Sequence, residues 1–173
     1  MTALALMAAL VSIPFGGYAL ADGTTESPTE NPAENPSENP SESPTENPAE
    51  GRPQPMLPTV ELLVGGVPLV VEVASGGQQR YMGLSFRETL DDNAGMLFVY
   101  PRARPLTFTM RNTLLPLSIA FIGDDLVVQQ IVEMDVGPGQ LFDSASPARY
   151  ALEVNQGWFE RNGIDPGALV AMP

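Results

Sequence analysis

Arg111, Asn112 and Thr113 stand side by side between two apolar segments, residues 106–110 and 114–117. A guanidinium beside an amide and a hydroxyl suits recognition of a carboxylate, a phosphate or the hydroxyls of a sugar. The alternation of residues 106–110 ends just before the trio, which places it at the rim of a strand, where connecting segments carry function. The bland alternative makes Asn112 and Thr113 turn residues bonded to their own backbone, with Arg111 pairing on the surface.

A second group is acidic. Glu153 and Asn155 lie two apart in a strand-like run and therefore share a face, and Glu72 sits in another apolar run. An acid turned inward needs a partner, and Arg87 or Arg80 is the available supply. A buried Arg–carboxylate pair that closes the fold is expected ahead of paired catalytic carboxylates, whose spacing is a three-dimensional quantity. The expected ligand-binding residues are Arg111, Asn112 and Thr113, with Arg87, Glu153 and Asn155 in support; no catalytic residue is assigned. Asp124, Asp125, Asp135 and Asp143 offer oxygen ligands, but no EF-hand spacing is present, and neither a metal nor a cofactor is expected. Trp158 beside Phe159 is expected to plug the core rather than stack on a sugar. Met82, Met96, Met110 and Met134 read as gap-filling core residues.

Composition removes most other chemistry. The 173-residue chain has no Cys and no His, which excludes thiolate nucleophiles, disulfides, Ser-His-Asp triads and His- or Cys-ligated metals. Every cation is Arg, so Schiff-base chemistry and a P-loop lysine are excluded as well. The formal net charge is -13, the opposite of a nucleic-acid-binding footprint. It is unevenly spread. Residues 22–58 hold eight acids and one Arg, whereas residues 59–173 hold thirteen acids and seven Arg, ordinary for a soluble domain.

Three regions position these residues. Residues 1–21 read as a secretory signal peptide: an apolar core from Ala3 to Ile13, breakers at Pro14, Gly16 and Gly17, and Ala19-Leu20-Ala21 as cleavage site. Its n-region lacks Lys and Arg, and an uncleaved anchor is the alternative; Pro and Gly interrupt a run already short of the roughly 20 residues that span a bilayer. Contact with a membrane is thus expected only in transit, and the product is expected to be exported, periplasmic or extracellular. Residues 22–58 read as a disordered Pro/Glu-rich linker, with six successive tetrapeptides (SPTE, NPAE, NPSE, NPSE, SPTE, NPAE) over residues 27–50. At about 3.1 Å per residue it could reach on the order of 100 Å. Its bland reading is a solvated tail without a partner.

Residues 59–173 read as a single all-β domain, a small antiparallel barrel or sandwich with one or two short helices. Thr59–Val64 and Val67–Ala74 flank Gly65-Gly66, a two-residue hairpin signal. Ser75 with Gln78 predicts a capping box opening a short helix to Met82. Strands are predicted at residues 96–100, 106–110, 117–122, 126–134, 149–154 and 168–171. A tight turn is predicted at Gly123-Asp124-Asp125, a loop at residues 137–147, and a helical turn near Trp158–Arg161.

An ordered series of short motifs now stands out: Val71-Glu72-Val73-Ala74, Arg80, Gly83-Leu84 with Phe86-Arg87, Gly95-Met96-Leu97-Phe98, and Phe108 with Met110-Arg111-Asn112-Thr113. Leu115-Pro116-Leu117, Phe121-Ile122, residues 150–155 and Gly157 complete it. In this series the domain resembles the DUF192 family of uncharacterised, often exported bacterial and archaeal proteins, over nearly all of residues 60–171. The chain departs from the family's usual residues at Thr109 (Trp), Arg111 (Lys), Ser85 (Met) and Ser118 (Asp). The resemblance implies a small all-β, barrel-like domain and no particular reaction.

Together these features read as an exported, non-enzymatic binding or interaction domain on an acidic tether. Its partner would be a small molecule, a glycan or an envelope protein, and no nucleic acid. The rival reading is a carboxylate-dependent hydrolase of envelope polysaccharide using Glu72 or Glu153. A third is a purely structural envelope protein.

Overall fold

The computed structural model describes residues 51–137 and 139–171. The signal peptide expected at residues 1–21 and the tether at residues 22–50 lie outside the described residues. Along the described chain run β1 (Thr59–Val64), β2 (Val67–Ala74), α1 (Gly77–Met82), β3 (Ala94–Arg104), β4 (Thr107–Thr109) and β5 (Leu117–Ile122). Then come β6 (Val128–Met134), β7 (Leu141–Asp143), β8 (Ala148–Asn155), α2 (Trp158–Arg161) and β9 (Val170–Ala171).

Seven strands form one curled sheet in the order β6-β5-β8-β3-β2-β1-β9, and β4 with β7 forms a separate two-stranded sheet. The β9 stretch bonds across to the start of β6 through Val128 N–H to Ala168 O (2.9 Å) and Val170 N–H to Leu126 O (2.8 Å), so one end of the half-barrel is stitched shut. The expected all-β, barrel-like class is therefore present. One neighbouring pair departs from the antiparallel expectation: β2 and β3 run parallel. Parallel neighbours need a crossover, and α1 with its flanking loops, residues 75–93, supplies it.

Both faces of the central strands are covered. One face of the sheet packs Leu62, Leu69, Leu97, Leu152 and Trp158 into the first core. The other packs Met96, Phe98, Ile119 and Phe121 beneath Leu84, Leu106, Phe108 and Met110 from the segments around α1 and β4. This double burial explains why every residue of Leu117–Ile122 is buried, five of the six being apolar and Ser118 the exception. Close packing of β3 against β8 depends on Gly95: a Cβ there would lie 2.5 Å from the Glu153 carbonyl oxygen.

Turn chemistry explains the hairpin. Gly65 (φ 57°) and Gly66 (φ 88°) both take the left-handed backbone that a two-residue β1–β2 turn demands. The predicted capping box is displaced by one residue. Gly76 is the N-cap, and Gln79 rather than Gln78 reaches back, its Oε1 accepting the Gly76 N–H at 2.7 Å. The loop expected at residues 137–147 contains β7, paired residue by residue with β4. The end of the stretch read as linker is bound to the domain: Gln54 Nε2 donates to Gly83 O (2.8 Å), Leu57 N–H to Glu72 (2.7 Å), and Val73 N–H to Pro58 O (2.9 Å).

Candidate functional site

A cleft of about 610 Å³ opens on the covered face of the sheet, between α1 with the loop after it on one side and β4 with the turn 110–113 on the other. Its apolar wall is Phe98 edge-on to Phe108 (5.0 Å between ring centres), with Phe121 packed behind Phe108 at 5.9 Å. Arg80, Tyr81, Tyr100, Arg111, Asn112 and Thr113 line it, and so does Glu153.

Glu153 is on β8, paired with Met96 of β3 and Ile119 of β5, so its carboxyl stands over the most buried part of the sheet. Only 5% of the residue is exposed, and no hydrogen bond or ion pair from another described residue reaches the side chain. Burial pushes the carboxyl up to about 8, because a buried charge without a counter-charge is disfavoured. At neutral pH it is mostly a neutral acid, able to donate one hydrogen bond and accept others. The Tyr100 phenol is also raised, first by burial, while Arg80 and Arg104 pull it down and Glu153 adds to the rise.

The cations of the cleft are held by groups other than carboxylates. Arg80 Nη1 donates to Ser75 O and to Val99 O (2.9 Å), with its guanidinium 4.9 Å from the centre of the Tyr100 ring. Arg111 bridges the two lips: its Nη2 donates to the Tyr81 hydroxyl, and its guanidinium lies 5.6 Å from that ring centre. The lips are also joined through backbone. Phe86 N–H donates to Asn112 O at 2.8 Å, and both residues sit in the left-handed region, at φ 61° and 62°. Such a conformation is uncommon for Asn and a true outlier for Phe, so surrounding contacts must hold it.

The predicted residues thus divide. Arg111, Asn112, Thr113 and Glu153 line one cleft. Arg87 and Asn155 lie outside it. Arg87 pairs with Glu72 at 3.1 Å, the buried Arg–carboxylate pair anticipated for one of the inward acids. Asn155 Nδ2 donates to Leu90 O and Asp91 O (both 3.0 Å), pinning the loop before β3. Asn112 and Thr113 are turn residues as well as rim residues, the Thr113 N–H donating to Met110 O. Trp158 is buried in the first core with Nε1 donating to Asn93, and the four methionines are core residues. Ser118 takes part in a small polar link: its Oγ lies 2.7 Å from both Glu133 carboxylate oxygens and accepts the Gly157 N–H that opens α2.

Tyr81 and Tyr100 were not anticipated. Tyr81 lines the cleft from α1 and Tyr100 from β3, a tertiary arrangement with no local signal beyond the Arg80-Tyr81 doublet. The turn itself gives a clean expectation. Asn112→Ala lowers stability by about 1 kcal/mol, whereas Asn112→Gly leaves it within a few tenths, because a Cβ is what the left-handed backbone resists. Thermal melts of the two variants read this directly. Equal loss in both would mean that the amide side chain, not the backbone, holds the turn.

Comparison with known proteins agrees with the fold. The chain covers 97% of a crystal structure from Sinorhizobium meliloti 1021 described as a "putative transcription regulator", using 69% of its own length, at 30% identity and a TM-score of 0.66. It covers 86% of a protein of unknown function from Novosphingobium aromaticivorans DSM 12444, using 66% of its own length, at 35% identity and a TM-score of 0.63. Among curated proteins none matches. The model of the family DUF192, described as "Uncharacterized ACR", matches residues 60–172, the whole sheet and both lips of the cleft. The chain belongs to the DUF192 family.

Proposed function

We propose that this chain is an exported, non-catalytic binding module whose ligand enters the cleft between α1 and the turn 110–113. One observation carries the reading: Glu153, a buried carboxyl with no partner among the described residues, faces a cleft of ligand size. Buried polar groups are ordinarily satisfied, and one left open toward a cleft is available to something that enters it. The hydrolase reading has weaker support. It needs two carboxyls across the cleft, and among the described residues Glu153 is the one acid in the lining, Glu72 being committed to Arg87.

The test is a ligand-observed NMR screen of the full chain against mono- and disaccharides, dipeptides, carboxylates and amines, with amide shifts mapped for each hit. Hits should perturb residues 80–86 and 107–113. Arg111→Ala should weaken them roughly tenfold while moving the melting temperature by no more than about 2 °C, since Arg111 is exposed and its loss leaves no buried group stranded. Hits that all map elsewhere, or an Arg111→Ala variant that melts many degrees lower, would leave the cleft without its proposed role.

A further inference from the structure

We infer that the cleft takes a small organic anion, its charged end held by Arg80 and Arg111 and its body lying against Phe98 and Phe108, with the Glu153 carboxyl within the same lining. This rests on the binding-module reading above and specifies the ligand class for that site.

The argument is one of complementarity. Neither Arg80 nor Arg111 has a carboxylate partner among the described residues, although each lines the cleft. The hydrogen bonds they make use one nitrogen each, Nη1 of Arg80 and Nη2 of Arg111, so both guanidiniums keep donors to offer. Two acceptors near Arg111 are already engaged: the Tyr81 hydroxyl by its guanidinium, and Thr109 Oγ1 by its backbone N–H at 3.1 Å. Two guanidiniums with donors to spare, facing a single lining acid among the described residues, favour an anionic end over a cationic one. The aromatic wall favours an apolar, planar body over a bare inorganic ion.

The protonation state of Glu153 couples to this. The charged and titratable groups that line the cleft with it are Arg80 and Tyr81 on α1, Tyr100 on β3 and Arg111 after β4, while β3 also carries Arg102 and Arg104 and β8 itself Arg149 and Tyr150 outside the lining. β5, which flanks Glu153 at Ile119, and β4 carry none. Arg stays charged and the Tyr100 phenol is raised, so Glu153, at about 8, governs the cleft's charge between pH 7 and 9. Ionised, it would repel an anion and cease to donate. Affinity for an anion should accordingly fall about tenfold from pH 7 to pH 9 as the neutral fraction drops.

Benzoate, benzyl alcohol and benzylamine have the same ring with an anionic, neutral and cationic end, and serve as probes. Titrated into the full chain by NMR at pH 7, benzoate should perturb residues 80–86 and 107–113 and bind at least tenfold more tightly than benzylamine. Its affinity should fall about tenfold by pH 9, and Glu153→Gln should remove that pH dependence. Arg111→Ala should weaken it at both pH values. Benzylamine binding in the cleft, tightening as pH rises, would overturn the anion assignment while leaving the binding-module reading intact. Failure of benzoate to bind at millimolar concentration would overturn it too, and the broader screen then decides separately whether the cleft binds anything. Benzoate affinity that is flat with pH in the wild type would overturn the role given to Glu153.

Discussion

Glu153→Gln raises the melting temperature at pH 7 by about 10 °C and changes it little at pH 4. The reason is linkage. The folded state holds the carboxyl at about 8 against an ordinary value of 4.5, so it binds a proton that the unfolded chain releases. A group raised in this way contributes stability that is fully present below about pH 4.5 and is lost as pH climbs toward 8. At pH 7 the loss amounts to roughly 3 kcal/mol, using 1.36 kcal/mol per unit. The figure applies without a discount for solvent screening because the residue is almost wholly buried. Gln keeps the shape and one hydrogen-bonding end but does not titrate, so the variant escapes the loss. Other carboxylates titrate alike in both proteins and cancel in the difference. Melts at half-unit intervals from pH 4 to 8 would trace it. A variant less stable than the wild type at pH 7 would mean that the carboxylate has a counter-charge in the fold, and the unpaired site would be lost with it. Together with the proposed binding role, the prediction describes a common trade: a residue placed to meet a ligand is one the fold would be more stable without.

How much of this was legible beforehand depends on where the deciding interaction lies. The β1–β2 hairpin is written locally, in Gly65-Gly66 between alternating segments, and β5 is written in its length and apolarity. The polar rim was legible too, since a strand pattern stops just before Arg111. β7 was not, because Leu141-Phe142-Asp143 is three residues in a loop rich in Gly and Ser, and pairing with β4 is what makes it a strand. The parallel β2–β3 contact is a statement about neighbours in space, on which alternation along either strand is silent. Gln54, Leu57 and Pro58 resemble the linker in composition, yet their bonds reach residues many positions away. Glu153 is the sharpest case. The sequence allowed either inward acid to be the one neutralised by Arg; register and the path of the crossover decided that Arg87 meets Glu72 and that Glu153 has no cation partner among the described residues.

The Glu72–Arg87 pair gives the other large effect. The two side chains keep only 7% and 16% exposure, and Glu72 Oε2 accepts from both Arg87 Nη2 (3.1 Å) and the Leu57 N–H (2.7 Å). Glu72→Gln should cost about 3 kcal/mol, the lower end of the range for removing one partner of a buried pair, since Arg87 retains some access to water. The loss comes from stranding the guanidinium, whose Nε already lacks a partner among the described residues. Removing both charges should therefore cost less than removing one: Glu72→Leu with Arg87→Met should recover most of the stability measured by urea unfolding. The Leu57 amide separates the two jobs of the carboxylate. Its hydrogen-exchange protection should fall modestly in Glu72→Gln, whose amide oxygen can still accept the Leu57 N–H, and should be lowest in the double variant, where leucine offers no acceptor even when the global stability has returned. Protection that recovers along with stability would show that residues 54–58 are held by packing and by the Pro58 and Gln54 contacts instead, and that Glu72 serves the ion pair alone. A double variant as unstable as the single one would assign the cost to the shape of the site rather than to the stranded charge.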